Sequence, residues 1–301
     1  MIRHLERYFW IFLVVAIIGG FAIPSVLNQL QGYVLYILMA IMGLLFLKVD
    51  ILDVVTHIKN PLPLIYIAFI NLIVTPLVAY FIVNSLDQNL SIGIVLLASL
   101  PAGVSSAVFT DIMNGRTSLS LTIVILTNIC AIFTIPFIFW LLFHQNISID
   151  PISLLKDLLM VISIPLIIAK ILKRIILKKV IHHFEDVYNP LIIILVTIMV
   201  MITVAFQAPY ILENLNQLLP TLGILYLAFF GFQLIAYFSV FWKSKGRKLA
   251  VSNSNMIMNN ILGIVLAIAF FPPEVTTLVI LSFIPWVTMI GIKHWYRRFL
   301  P

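Results

Sequence analysis

The sequence predicts an all-α polytopic membrane protein of ten transmembrane helices, arranged as two five-helix repeats of opposite orientation. Three observations lead there. First, 62% of the 301 residues are hydrophobic and only 10% are charged, whereas soluble domains carry about 25% charged residues. The mean hydropathy is +1.16. Second, apolar segments long enough to span a bilayer recur along the whole chain, separated by short connections. Third, lysines and arginines are abundant in every other connection and scarce in the rest.

The segments fall at 9–27, 33–49, 61–84, 90–113, 117–143, 152–172, 188–206, 217–241, 249–271 and 274–294. The first, in MIRHLERYFWIFLVVAIIGGF, has a basic start but no small-residue cleavage site, so it reads as a retained helix and not a signal peptide. Segment three contains AFINLIVTPLVAYF and segment eight contains AFFGFQLIAYF, a match that sets Asn71 opposite Gln233. Segments four and nine each carry a polar interruption, PAGVSSAVFTD in one and SNSNMIMNN in the other. Between segments six and seven lies a basic linker at 173–187. One transmembrane domain, 1–301, is therefore expected, with repeat one at 1–145 and repeat two at 150–301. Because five is odd, the second repeat must lie upside down relative to the first.

Orientation follows from the basic residues. All but Lys156 of the 18 lysines and arginines lie in alternate connections: Arg3 and Arg7, Lys48 and Lys59, Arg116, the groups at 170–179 and 243–248, and Lys293, Arg297 and Arg298. By the positive-inside rule these connections and both termini are cytoplasmic, at a plasma (inner) membrane. The net charge of +7 thus reflects topology and does not point to nucleic acid.

The polar interruptions carry the chemistry. In hydrocarbon every backbone N–H and C=O must find a partner. Pro101 and Gly103 break the internal pairing halfway along segment four, and Ser105, Ser106 and Thr110 follow within reach. A packing kink, with serines bonded back to the helix, is the alternative. Segment nine has no proline or glycine before Gly263, yet asparagine is a poor helix former. Should the two segments cross, their half-helix ends would offer both signs of partial charge to one small volume, enough for an anion and a cation together.

Enzyme readings find no support, since there is no HExxH, no carboxylate pair within a helix and no nucleophile elbow. Asp111 beside Arg116 reads as a solvated cap or ion pair. The shallow depth of Asp157 favours an interfacial pair with Lys156 over a proton relay. His182 and His183 read as solvated, Cys130 as a small buried hydrophobe, and the sequons at 89–91 and 146–148 as accidental.

The stretch LPAGVSSAVFTDIMNGRTSLSLTIVILTNICAIFTIP resembles helices four and five of the bile acid:sodium symporter family and its superfamily. That family shows Pro-Gly-Gly-Thr-Ala-Ser-Asn, a Gly-containing turn and an Ala-Leu-Ser start. Here the run is Pro101-Ala102-Gly103-Val104-Ser105-Ser106-Ala107, then Gly115 and Ser118-Leu119-Ser120. The resemblance implies broken, crossing helices four and nine, a core of helices 3–5 and 8–10, and a panel of helices 1, 2, 6 and 7. It also implies ion-binding roles for Asn71, Ser106, Ser120, Asn255, Met256, Met258 and Asn259. Substrate contacts are expected at Asn260 from the resemblance, and at Ser105 and Gln233 from their place in the central site. Three departures stand out: Ala107 and Val124 replace an asparagine and a threonine ligand, and Asn255 replaces a glutamate that the family shares between two sodium ions. A neutral amide still offers an oxygen to a hard cation, but its missing charge argues against two sodium sites.

The expected function is secondary transport of a small or amphipathic organic anion, with no cofactor and sodium as the one metal in prospect. One sodium ion, a proton or uncoupled movement all remain open. An auxin-efflux-type dicarboxylate carrier is a sibling reading. An arsenite exporter is disfavoured, because segment four lacks a cysteine. A membrane sensor whose polar helices only pack is the reading from another class.

Overall fold

The computed structural model describes residues 9–48, 61–144, 150–175 and 185–301. The linker part 176–184 with His182 and His183, the sequon at 146–148 and the first eight residues lie outside that range. The described residues fold into helices joined by short turns, with no named strand. In order these are α1 (Phe9–Ala22), α2 (Val34–Lys48), α3 (Leu62–Val83), α4 (Gln88–Ser99), α5 (Ser105–Ile112), α6 (Thr117–Phe143) and α7 (Pro151–Ile175). They continue as α8 (Glu185–Glu213), α9 (Leu215–Ser239), α10 (Lys245–Met256), α11 (Asn260–Phe270), α12 (Pro273–Leu281) and α13 (Phe283–Tyr296). Seven helical stretches are long and apolar enough to cross a membrane among the described residues, so the chain is a multi-pass membrane protein. α4 and α11 are apolar but shorter, because the segments that contain them are interrupted.

The interruptions are marked by caps, prolines and turns. α4 starts on Asp87, whose carboxylate accepts the Leu90 N–H at 3.0 Å, an N-cap. It stops where Leu100 turns extended, φ −66° and ψ 143°, because a residue before proline is driven out of the helical region. α10 ends at Ile257 and α11 starts on Asn259, whose Oδ1 accepts from Leu262 N at 3.2 Å. In α3, Pro76 removes a backbone donor, and the chain answers with a π-helical turn over Ile70–Val74. There the Ile70 carbonyl accepts both the Thr75 N–H and the Thr75 hydroxyl, the latter at 2.9 Å. The tight turn between α5 and α6 places Asn114 at φ 56°, a left-handed conformation that asparagine tolerates.

The chain divides into two compact units, and each draws on both halves of the sequence. One comprises Met1–Asp53 and Lys156–Asn214, the other Val54–Leu155 and Leu215–Pro301. In the first, α1 packs against α8 through Gly19 and Gly20. A Cβ on Gly20 would lie 2.7 Å from Val204 and 2.9 Å from the Met201 carbonyl, the close approach that small residues permit between membrane helices. In the second, Ile67, Ala102, Ile123, Val124, Ala236, Val240 and Val251 form a buried apolar cluster. Ala102, in the break of segment four, is part of that cluster.

Candidate functional site

The two breaks meet inside the second unit. Ala102 and Met258 form an isolated antiparallel bridge. Gly103 N donates to the Ile257 carbonyl at 2.8 Å, and Asn259 N donates to the Pro101 carbonyl at 2.8 Å. The unwound stretches thus satisfy each other, as backbone at membrane depth must. α6 fixes the crossing from the side. Thr127 Oγ1 accepts from Ala102 N at 3.1 Å, and Asn128 Nδ2 donates to the Ala102 carbonyl at 3.0 Å and to the Val124 carbonyl at 2.8 Å. Neither anchor is among the residues singled out from sequence. Their only signal is a Thr-Asn pair in an otherwise apolar run.

Around the crossing the predicted residues fall into two groups. Ser106 and Ser120 are fully buried and face each other, Oγ to Oγ, at 3.1 Å. A third hydroxyl, Ser254, lies 3.0 Å from Ser120 and is an addition that the sequence reading leaves out of the site. Ala107 and Val124 are buried and apolar, and Val124 belongs to the hydrophobic cluster. Ser120 bridges the other two hydroxyls between apolar walls, so these oxygens are engaged with one another and not held open for a hard cation.

The second group fits one better. Asn255 Nδ2 donates to Thr75 Oγ1 at 3.0 Å and to the Phe232 carbonyl at 2.8 Å. Thr75 spends its own proton on Ile70, so both partners act as acceptors and the amide orientation is fixed. The Asn255 oxygen is left over as a ligand atom. One turn before Thr75, Asn71 is 2% exposed, and neither end of its amide has a partner among the described residues. An orphaned buried amide costs about 1–3 kcal/mol unless something satisfies it, and the π-helical turn beneath Asn71 is a feature enriched at functional sites. Asn71 Oδ1 and Asn255 Oδ1 are thus side-chain oxygens left uncommitted beside the break of segment nine. Asn259 contributes less, because its Oδ1 caps α11 and its Nδ2 lies within 3.5 Å of Asn128.

The candidate substrate residues are also placed. Gln233 is 1% exposed, and its amide atoms make no hydrogen bond of good geometry among the described residues, although the Tyr296 hydroxyl lies beside them. Asn260 Nδ2 donates to Ser282 Oγ at 3.0 Å, while its Oδ1 is buried without a partner. Ser105 heads α5 and is half-buried. Asn253 joins the set through Thr110 Oγ1 at 3.1 Å, with its Oδ1 unpartnered.

Residues 34–214 match the Sodium Bile acid symporter family. A relative described as the uncharacterized sodium-dependent transporter YocS, from Bacillus subtilis (strain 168), is 25% identical over 186 residues. That similarity covers 60% of this chain and 58% of the relative, so the chain spans under two thirds of its length. With more than half of its residues inside the match, the chain belongs to the Sodium Bile acid symporter family, whose members are transporters and not enzymes.

Proposed function

We propose that this chain is a secondary transporter that carries a small or amphipathic organic anion by alternating access, linked to sodium through one altered site. The single observation that carries the proposal is the crossing itself, with orphaned amides gathered around it. The C-terminal ends of α4 and α10 bring partial negative charge there, and the N-terminal ends of α5 and α11 bring partial positive charge. Interrupted helices in matching positions of two halves are how inverted-repeat transporters build a site near the bilayer midplane. We read the interrupted segments, together with the seven uninterrupted spans and α1, as ten crossings in a five-plus-five inverted repeat. The division into two units matches the core and panel that such a mechanism moves. By the distribution of lysines and arginines, both termini are cytoplasmic, in the plasma (inner) membrane.

The chain's own residues bind and release, and no covalent step is involved. Asn71, Asn255 and the carbonyls of the helix-nine break take the cation. The free ends of Gln233, Asn260 and Asn253, with Ser105, are the polar groups available to an anion. A sibling carrier of the same fold, an auxin-efflux-type dicarboxylate carrier among them, would use the same crossing. The test is uptake of candidate carboxylates into proteoliposomes with and without a sodium gradient. Asn71→Ala and Asn255→Ala should abolish most of the flux. Unchanged flux in both variants would refute the site.

A further inference from the structure

Among the described residues one lysine, Lys293, is buried at 0% exposure. It stands on α13, and its Nζ donates to Ser252 Oγ at 2.6 Å. Ser252 gives its own proton to the Gln233 carbonyl at 2.7 Å, so it has nothing to donate back. One helical turn along α10, Asn255 is anchored on the adjacent carbonyl, that of Phe232. The amine and the Asn255 amide thus engage neighbouring turns of one helix and neighbouring carbonyls of another.

The elements packed on α13 bring no counter-charge to the amine. On α9, Tyr226 is bonded to Thr288 at 2.7 Å and Tyr237 to the Pro301 carbonyl. α10 carries only basic groups, Lys245, Arg247 and Lys248. Glu274, on α12, lies at the opposite end of the span that contains Lys293. Asp111, on α5 across the contact of Phe109 with Trp286, is exposed and accepts from Thr117. On α13 itself His294 is exposed, and the Tyr296 hydroxyl lies beside the Gln233 amide. An amine buried in that setting, with one neutral hydroxyl as its partner, takes the uncharged form. Its lone pair is then an acceptor to which no described residue donates. An ionisable side chain at membrane depth marks function by default, and the ligand of an open lone pair is a proton.

We propose that Lys293 is a proton-binding site of this core, neutral while the core is sealed and protonated when the crossing opens to water. The step is simple addition: a proton from water joins the amine lone pair, no bond to carbon breaks, and the same proton leaves on release. This rests on the reading of the core as an anion carrier. An anion in the crossing offsets the ammonium, so the core seals with both or with neither, and one proton accompanies each anion.

The first arm of the test uses protons alone. Unfolding of the full chain is followed in detergent as SDS is added, at values from about pH 7 to about pH 9, below the ordinary range of a lysine. The unfolded chain holds a proton that the folded chain lacks, so raising the pH stabilises the parent relative to Lys293→Met. The ratio of their unfolding constants should change about tenfold per pH unit. Ser252→Ala removes the contact but keeps the amine and should follow the parent. Lys293→Gln repeats the neutral arm should the methionine variant not fold. The second arm repeats the carboxylate uptake with the membrane potential clamped and the liposome interior alkaline. Accumulation by the parent should rise about tenfold per unit of pH gradient, and Lys293→Met should not respond. Equal pH slopes in parent and Lys293→Met overturn the proposal, as does parent uptake that ignores the gradient. Different slopes with no carboxylate uptake under any condition would sink the carrier reading and leave the proton site supported.

Discussion

Gly103 shows at the scale of one residue why the crossing tolerates so little. A Cβ there would lie 2.9 Å from the Met258 carbonyl oxygen and 3.2 Å from that of Ile257. Both are backbone atoms of the opposing break, so no rotamer change can relieve the contact, and the hydrogen bond from Gly103 N to Ile257 must lengthen. Gly103→Ala should therefore destabilise the chain by about 1–3 kcal/mol, the usual cost of overpacking a close contact, and should cut uptake sharply. The check is the unfolding midpoint in detergent together with proteoliposome flux. A parent-like midpoint and flux would mean that the breaks do not need to touch. Residues such as Pro101, Gly103, Ser106 and Asn255 were legible in the sequence because local chemistry marks them. Proline and glycine disrupt a helix wherever they stand, and amides and hydroxyls in hydrocarbon call for partners. Ser254 and Thr75 carry the same mark without being assigned to the site from sequence. Their importance comes from which hydroxyl or amide of another helix they meet, and spacing along one segment does not show that.

Among the elements, α6 was predicted to its end residues, since an apolar run from Thr117 to Phe143 bounded by polar residues leaves little choice. Segment nine is the instructive contrast. It has no helix breaker at the point of interruption, yet it unwinds between Met256 and Asn260. The cause is its partner, because Ile257 O and Asn259 N are spent on Gly103 N and Pro101 O. A break imposed by another segment leaves only a polar composition as its local trace. The anchoring of segment four to α6 is likewise tertiary and yields a prediction at this scale. Thr127→Val orphans the buried Ala102 N–H, and Asn128→Leu orphans the Ala102 carbonyl. Each should cost about 1–3 kcal/mol and depress uptake. Asp87→Ala, which removes an exposed cap at the far end of α4, should cost about 1 kcal/mol and leave uptake near the parent value. Unfolding midpoints and fluxes measured on the three variants test this. Equal loss of uptake in Asp87→Ala would assign the effect to general destabilisation and refute the anchoring role.

For the whole molecule, the partition of lysines and arginines read from the sequence includes one member that the fold buries. Lys293 counted as a connection residue by sequence, because it stands four residues before Arg297 near the end of an apolar run. In the fold it is buried against Ser252, and the connections would still be divided the same way without it. Hydropathy alone cannot separate a lysine at a helix end from one turned inward, since both follow the same apolar stretch. The orientation itself can be tested with the one cysteine removed. In a Cys130→Ser background, single cysteines replace Ser85, in the exposed turn after α3, or Ser244, in the exposed turn before α10. The basic residues Lys243, Lys245, Arg247 and Lys248 flank the second position, and Asp87 lies near the first. A membrane-impermeant thiol reagent added to intact cells should therefore label Ser85→Cys and reach Ser244→Cys only after permeabilisation. The reverse pattern would invert the topology. Labelling of both positions from the same side would remove an odd number of crossings between them and with it the inverted repeat, because α4 through α9 would no longer carry the chain from one face to the other.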